Sequence, residues 1–335
     1  MKMLIFDFRD SEKDFFNRHS FPDFDITFIN KPLNELTVLT DEQWEETDIV
    51  SVFINSVVSE TVINKFKNLR IVATRSTGYN HIDLKCCTQN NIAVFNVEQY
   101  GQGAVAEFTI GVMLVLIRKI LPAYLDIQKE NVNHPDYEGR NLKSLTLGLI
   151  GCGAIGGAVA KLAKVFGMKI LTYSYSKNSD VQSFVDFVSL DELLEKSDVI
   201  SLHIPYTNET YHILGAEEFK KMKQGVYIIN TSRGELIDTK LLYENLLNGK
   251  ISGVALDVLE CEYETIKSEV LREDENSQKK CAAKALVNKK LFALENVLIT
   301  PHIAYNTKES VDMLLEHTFN NIRDYIKGEH NSRLC

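Results

Sequence analysis

Gly148-Leu149-Ile150-Gly151-Cys152-Gly153-Ala154-Ile155-Gly156 is the stretch that decides the fold. It ends a β-like apolar run, Thr146 to Ile150, and opens a helix-like one. A bare G-x-G-x-x-G carries little information, but between a strand and a helix it predicts a dinucleotide-binding turn. Gly151 permits the tight turn, Gly153 lets the backbone approach a pyrophosphate, and Gly156 lets the helix pack close to the strand. The amides of Ala154 and Ile155 then stand at a helix N-terminus, where backbone donors and the helix dipole favour phosphate.

Downstream of this turn, strand-like runs recur at Lys169–Tyr173, Val199–His203, Val226–Asn230, Gly253–Asp257 and Val297–Thr300. Amphipathic helices at Asp191–Ser197 and Thr239–Leu247 lie between them. Upstream, Leu4–Phe6, Ile26–Ile29, Ile49–Ile54, Ile71–Ala73 and Ile92–Asn96 read as strands, with a helical stretch at Glu60–Phe66. Such alternation predicts open parallel sheets with helices on their faces. One long helical segment, roughly Gly103 to Lys129, separates the two series, and an amphipathic helix at Lys308–Lys327 can return to cover the first. The expected fold is α/β, with two doubly wound parallel-sheet domains and a cleft between them. A flavodoxin-like substrate domain takes residues 1–99 plus 306–335, and a Rossmann dinucleotide-binding domain takes 100–305. Tyr263 to Lys290, rich in Glu and Lys, reads either as an inserted surface helix or flap or as a mobile loop.

The composition fits this picture. A length of 335 residues suits about two domains, and 44% hydrophobic with 25% charged residues is globular. A net charge of −9 argues against a nucleic-acid surface. The longest apolar stretch, around Ile110 to Ile117, is too short for a membrane span, and Met1–Asp7 begins a strand rather than a signal peptide. Six cysteines without C-x-x-C spacing suggest neither a zinc site nor a secreted disulfide framework, so reduced thiols, no bound metal and a cytoplasmic location are expected.

Three segments follow strands of the second series: Asn230–Glu235, Leu256–Glu262 and Thr300–Ala304. Open α/β sheets bind ligands outside the carboxyl ends of their strands, so these segments can converge on one crevice. They offer Arg233, Glu262 and His302. A guanidinium, a carboxylate and an imidazole are what reduction of a 2-oxo acid needs. Arg233 can hold the substrate's carboxylate and carbonyl by directed, charge-assisted bonds. His302 can give a proton to the carbonyl oxygen as hydride arrives, with Glu262 holding the ring oriented and charged.

These motifs make the chain resemble the D-2-hydroxyacid dehydrogenases, and it is most similar to their D-lactate dehydrogenase branch. The resemblance rests on Arg75-Ser76-Thr77-Gly78 with Ile82-Asp83, Asn96-Val97 with Ala106-Glu107, Gly148 to Gly156, Leu202 to Pro205, Asn230 to Gly234, Asp257 to Glu262, and Thr300 to His302. It implies that Arg233, Glu262 and His302 are catalytic. It implies that backbone amides at Thr77 and Gly78 hold the substrate carboxylate. Tyr100 and Tyr305 fall near the substrate, or else serve as packing. His203, Pro205, Thr231 and Ser232 join the glycine turn in binding the cofactor, and Asp257 lies close to the nicotinamide carboxamide. A homodimer with no nucleic-acid or membrane partner is implied as well. Ala104–Ile117 would supply the subunit interface, or would pack between domains.

The sequence departs from the family in two places. Members preferring NAD carry an acid after the second nucleotide-domain strand, where it bonds the ribose hydroxyls. Here Leu171-Thr172-Tyr173-Ser174-Tyr175-Ser176-Lys177 puts Ser174 at that point. Ser174, Ser176 and Lys177 can instead bond a 2′-phosphate, so the cofactor is NAD or NADP. The segment after Glu262 is also longer than in compact members. Pyruvate and D-lactate are the expected substrate pair. Glyoxylate or hydroxypyruvate reduction with NADPH is the alternative, and a dinucleotide-sensing corepressor-like binding protein is the alternative of another class.

Overall fold

The computed structural model describes residues 1–98, 100–130, 137–175, 179–266, 275–329 and 333–335. These divide into two compact units. Of the described residues, the first holds those within 1–101, 275–278 and 306–335, and the second those within 102–266 and 279–305. Each unit is built on a parallel sheet, so the α/β, two-sheet fold class read from the sequence is correct.

The first unit runs β1 (Lys2–Ile5), α1 (Lys13–Arg18), β2 (Asp25–Phe28), α2 (Asp41–Glu46), β3 (Ile49–Val52), α3 (Glu60–Ile63), β4 (Ile71–Thr74), α4 (Leu84–Gln89) and β5 (Ala93–Phe95). Its strand order is β2-β1-β3-β4-β5, the flavodoxin-like arrangement. All of β3 and β4 is buried, as expected when helices cover both faces of a parallel sheet. Leu4, Val50, Val52, Val72 and Val94 enter one core with Val62 and Ile63 of α3. Arg75 lies just past β4 and is only 1% exposed. Its guanidinium donates to Ser51 Oγ at 3.0 Å and to the carbonyl of Phe6 at 2.7 Å, and lies 3.5 Å from the Glu12 carboxylate. This buried arginine cross-braces strand ends, a structural task that its place in the family motif did not reveal.

The second unit opens with α5 (Gln102–Ile117) and α6 (Ile120–Gln128). The single long helix expected there is therefore two. Pro122 lacks an amide hydrogen, and its ring would strike the carbonyl of Arg118 if the helix continued. The chain breaks at Lys119, which takes a left-handed φ of 50°. There follow β6 (Thr146–Ile150), α7 (Ala154–Val165), β7 (Lys169–Tyr173), β8 (Asp186–Phe187), α8 (Leu190–Lys196), β9 (Val199–Leu202), α9 (Ala216–Lys221), β10 (Val226–Asn230), α10 (Thr239–Leu247), β11 (Ile251–Leu256), α11 (Glu262–Ile266), α12 (Glu275–Leu291) and β12 (Val297–Ile299). The order β12-β11-β10-β9-β6-β7-β8 reverses direction between β6 and β9. That reversal is the switch point at which doubly wound sheets bind ligands.

Alternation along the strands feeds two cores. Leu147, Leu149, Val199 and Ile229 pack with Val159, Ala160 and Met113 on one face. Ile150, Ile200, Leu202, Ile228 and Leu256 pack with Leu193 and Leu242 on the other. Gly148 is needed where α8 crosses β6, since a Cβ there would lie 2.2 Å from Ser197 Oγ and 2.7 Å from Leu193 Cδ2. The final helix, α13 (Lys308–Ile326), is capped by Thr307, whose hydroxyl accepts from the Ser310 amide, and it packs on β4 and β5 of the first unit.

The segment from Tyr263 to Lys290 contributes α11 and α12, so its described part is helical. Cys261 and Cys281 are joined by a disulfide, which corrects the reading of all six cysteines as reduced thiols. The pair is 20 residues apart and has no motif spacing, so only the fold brings it together.

Candidate active site

The glycine turn sits at the switch point. His203, just past β9, donates its amide to the carbonyl of Ile150 at 2.8 Å, which draws the two strand ends together. Gly151 has a φ of 96°, and a Cβ there would come within 2.4 Å of the His203 carbonyl oxygen. At Gly156 a Cβ would lie 2.1 Å from the Gly151 carbonyl oxygen, so the start of α7 closes on the turn only because both are glycine. Gly153 differs, since a Cβ there would meet nothing within 4 Å. Space is therefore open over the middle of the turn, beside the N-terminus of α7, where Ala154 is exposed and Ile155 half-buried. His203 Nε2 lies 2.8 Å from Ser201 Oγ, while its Nδ1 is buried with no hydrogen-bond partner among the described residues. An open cradle of amides next to an orphaned polar atom fits a dinucleotide phosphate chain.

Ser174 ends the run after β7, and its hydroxyl accepts from the Cys152 amide at 3.2 Å. The residue at the selector position thus touches the glycine turn itself. Ser176 and Lys177 lie outside the described residues.

Burial dominates the electrostatics of His203. Part of the side chain reaches the surface, but its surroundings strip water from the ring and hold its pKa down to about 4. The unfolded chain then takes up this proton near pH 6.5, before the folded one does. Stability from a neutral His203 is full above pH 6.5 and is lost as pH falls toward 4. The gap between 6.5 and about 4 corresponds to roughly 3 kcal/mol at most, and partial exposure reduces it to about 2 kcal/mol. Urea midpoints measured from pH 7 to pH 4 are expected to fall more steeply for the natural chain than for His203→Asn. Parallel curves would exclude this role.

The Asn230–Gly234 segment is shaped by its own side chains. Asn230 donates to the Arg233 carbonyl at 2.7 Å and accepts from the Ser232 amide at 3.0 Å. Ser232 Oγ donates to the Leu202 carbonyl at 2.7 Å, and Thr231 Oγ1 lies 3.1 Å from Thr109 Oγ1 of α5. Pro205 is exposed, with its carbonyl accepting from Thr210 Oγ1 at 2.8 Å. Arg233 itself is half-buried, and one of its terminal nitrogens donates to the Ser232 carbonyl at 2.6 Å. At Gly234 the backbone lies directly against the next strand's exit, where a Cβ would stand 2.0 Å from Leu259 C and 2.2 Å from Glu260 N.

Glu262 and His302 meet: Glu262 Oε2 lies 3.4 Å from His302 Nδ1, with both side chains about four-fifths covered. His302 takes a left-handed φ of 54°. The turn that carries it is gripped by Asp257, which is 2% exposed. One Asp257 oxygen accepts from Thr300 Oγ1 at 2.6 Å and from the Ile303 amide at 2.9 Å, and the other accepts from the Ala304 amide at 2.8 Å. Burial pushes the Asp257 carboxyl up, and these hydrogen bonds oppose the shift. Burial likewise raises Glu235, next to Arg233. Asp257, matched to the cofactor by family likeness, has both oxygens engaged in shaping the His302 turn. The buried Tyr305 ring is 6.5 Å from the His302 ring, edge to face.

Arg233, Glu262, His302 and Tyr305 all belong to the second unit. Thr77, Gly78 and Tyr100 belong to the first. There Thr77 donates its hydroxyl to the Val97 carbonyl at 2.9 Å and accepts Asn96 Nδ2 on its own carbonyl at 2.8 Å. The Gly78 carbonyl accepts from Ser76 Oγ at 2.6 Å, so the turn is braced on three sides. Tyr100 is half-buried near the end of that unit.

Sequence reasoning missed one polar cluster. Glu260 is 2% exposed, and its carboxylate meets His212 Nε2 at 2.9 Å, Thr239 Oγ1 at 2.7 Å and Lys284 Nζ. Its position two residues before Glu262 was visible, but its partners come from three separate elements and have no common spacing.

Residues 110–304 match the family model for the D-isomer specific 2-hydroxyacid dehydrogenase, NAD binding domain. The chain is 39% identical over 313 residues to a 2-hydroxyacid dehydrogenase homolog of Haemophilus influenzae, covering 91% of this chain and 90% of that one. It is 34% identical over 338 residues to the D-lactate dehydrogenase of Escherichia coli, 98% of each. Among solved structures, the Aquifex aeolicus D-lactate dehydrogenase complexed with NAD and lactic acid superposes with a TM-score of 0.84. It is 33% identical, over 99% of this chain and 98% of that one.

Proposed function

Because the chain belongs to the D-isomer-specific 2-hydroxyacid dehydrogenases, we propose that it interconverts a small 2-oxo acid and its D-2-hydroxy acid, with pyruvate and D-lactate the favoured pair. The observation that carries this reading is the Glu262–His302 pair, 3.4 Å apart on a turn clamped by Asp257. The choice of pyruvate draws on likeness to chains named D-lactate dehydrogenase.

His302 presents Nδ1 to Glu262, which leaves Nε2 for the substrate. The carboxylate holds the ring in place, so that the free ring nitrogen can serve the carbonyl oxygen as proton donor in the reducing direction. The proton returns to Nε2 in oxidation. Arg233 holds the substrate carboxylate and polarises its carbonyl by charge-assisted bonds, which tighten as negative charge grows on the oxygen. The family likeness assigns Thr77, Gly78 and Tyr100 of the first unit, and Tyr305 of the second, to substrate binding. Gly151, Gly153, Ala154, Ile155 and Gly156 hold the pyrophosphate, with His203, Pro205, Thr231 and Ser232 lining the path to the nicotinamide. When bound, the nicotinamide supplies a hydride to the substrate carbon.

Ser174 places no negative charge where a 2′-phosphate would sit, so we assign use of both NADH and NADPH. With an acid at that position, repulsion would reject the phosphate. The kcat/KM for NADPH is expected to fall within about tenfold of that for NADH, a difference of about 1.4 kcal/mol. A hundredfold or greater preference for NADH overturns the assignment. The same assay, run over pyruvate, phenylpyruvate, 2-oxoisocaproate, glyoxylate and hydroxypyruvate with each cofactor, tests the substrate. Fastest turnover on glyoxylate or hydroxypyruvate would move the reading to that reductase class, and no turnover on any of them would refute an enzyme of this kind.

The protein is read as a cytoplasmic homodimer. A Cβ added at Gly103 or Gly111 of α5 would meet nothing within 4 Å, and Ile120, Tyr124 and Ile127 of α6 are exposed, which leaves an apolar helical face open to a second copy.

A further inference from the structure

One face of α12 grips the chain on both sides of Glu262. Cys281, Lys284 and Asn288 recur at the three- and four-residue spacing that lines up one side of a helix. Lys284 pairs with the buried carboxylate of Glu260. Asn288 Nδ2 donates to the Glu260 carbonyl and to Thr265 Oγ1, both at 2.9 Å. Between those two anchors, Cys281 is bonded to Cys261, the residue immediately before Glu262. Cys261 also has a φ of 50°, a left-handed conformation that side chains other than glycine resist. The cross-link therefore holds a strained residue whose backbone sets the direction of Glu262. Both sulfur-bearing residues are half-buried rather than sealed in the core, unlike Cys86, Cys87 and Cys152.

We propose that Cys261–Cys281 is a reversible thiol–disulfide site that sets how firmly Glu262 is held against His302. This rests on the reading of Glu262 and His302 as the acid–base pair. Oxidation proceeds with a low-molecular-weight disulfide such as glutathione disulfide. One cysteine thiolate attacks it to give a mixed disulfide and one released thiolate, and the second cysteine then displaces the other. A protein S–S bond forms, the reagent S–S bond breaks, and two electrons pass to the reagent, which leaves as two thiols. A dithiol reductant reverses the exchange.

Reduction frees Cys261 to relax, while Lys284 and Asn288 keep α12 attached. The effect is therefore graded rather than total. A small displacement of a positioned catalytic pair lowers the rate without altering ground-state binding.

The full-length chain, treated with glutathione disulfide or with dithiothreitol, tests this directly. Differential alkylation and peptide mapping should find Cys261 linked to Cys281 after the first treatment and both as thiols after the second. On the best 2-oxo acid of the panel, reduction should lower kcat by roughly 3- to 10-fold with KM unchanged within about twofold. Hydrogen exchange over 261–266 should quicken in the reduced protein. Cys281→Ser should match the reduced natural chain after either treatment. The proposal fails if both cysteines stay as thiols under oxidant, if exchange is the same in the two states, or if Cys281→Ser still responds to them. Absence of turnover on every 2-oxo acid would instead refute the dehydrogenase reading, and hydrogen exchange would still judge the cross-link.

Discussion

Replacing His302 with Asn is expected to lower kcat for 2-oxo acid reduction by about a thousandfold, the span that a positioned general acid commonly supplies. Asparagine is the informative substitution here. His302 holds a φ of 54°, and Asn is among the few side chains that settle readily in the left-handed region. Asn cannot deliver a proton near neutral pH, so the acid is lost while the turn keeps its shape. The turn does not depend on the imidazole, because Asp257 bonds the Ile303 and Ala304 amides and the Thr300 hydroxyl. Cofactor affinity, measured by quenching or transfer of nucleotide fluorescence, should change by less than about threefold, since the cradle at Gly151–Gly156 is untouched. A drop in kcat of less than tenfold would mean that another group supplies the proton.

The second large effect belongs to a residue with no side chain. Gly234→Ala should lower stability by about 3 kcal/mol or more, at the upper end for an overpacked site. It should also lower kcat/KM by at least about a hundredfold, the scale set by a misplacement near 1 Å. The new Cβ would lie 2.0 Å from Leu259 C, 2.2 Å from Glu260 N and 2.4 Å from Leu259 O. All three are backbone atoms, so no side chain can swing aside. Relief requires the loop of Arg233 to part from the loop that leads through Glu260 to Glu262. Arg233 and Glu262 are then displaced together. Urea unfolding and steady-state kinetics on the same preparation measure both losses. A variant of ordinary stability with normal kcat/KM would contradict the contact.

The fold was largely legible because its signals are local. Short apolar runs marked β6, β7 and β10 to the residue, and the glycines at 151, 153 and 156 announced the turn between β6 and α7. The meeting of Glu262 and His302 was legible for a related reason, since each follows a strand and the topology gathers strand ends. What escaped notice depends on contacts that sequence spacing does not encode. β8 is a two-residue strand, too short for any periodicity. The break at Lys119 turned on a proline three residues later, inside a run that otherwise reads as helical throughout. The Glu260 cluster draws on His212, Thr239 and Lys284, and the Cys261–Cys281 bond joins a strand exit to a helix that only the folded chain brings near. The hydrogen bonds of Asp257 to the His302 turn also escaped notice, because a motif match names a neighbourhood and not a hydrogen bond.

The placement of β12 and α13 bears on how the chain is made. β12 adds the outermost strand to the second unit's sheet, and the turn after it carries His302 and supplies every hydrogen bond that Asp257 receives. α13 then packs on β4 and β5 of the first unit. A nascent polypeptide emerging from the ribosome thus has neither unit finished until β12 and α13 appear. Until then a carboxylate destined for the interior waits without donors, and no imidazole stands beside Glu262. A chain halted before this stretch lacks both His302 and the helix that packs on β4 and β5.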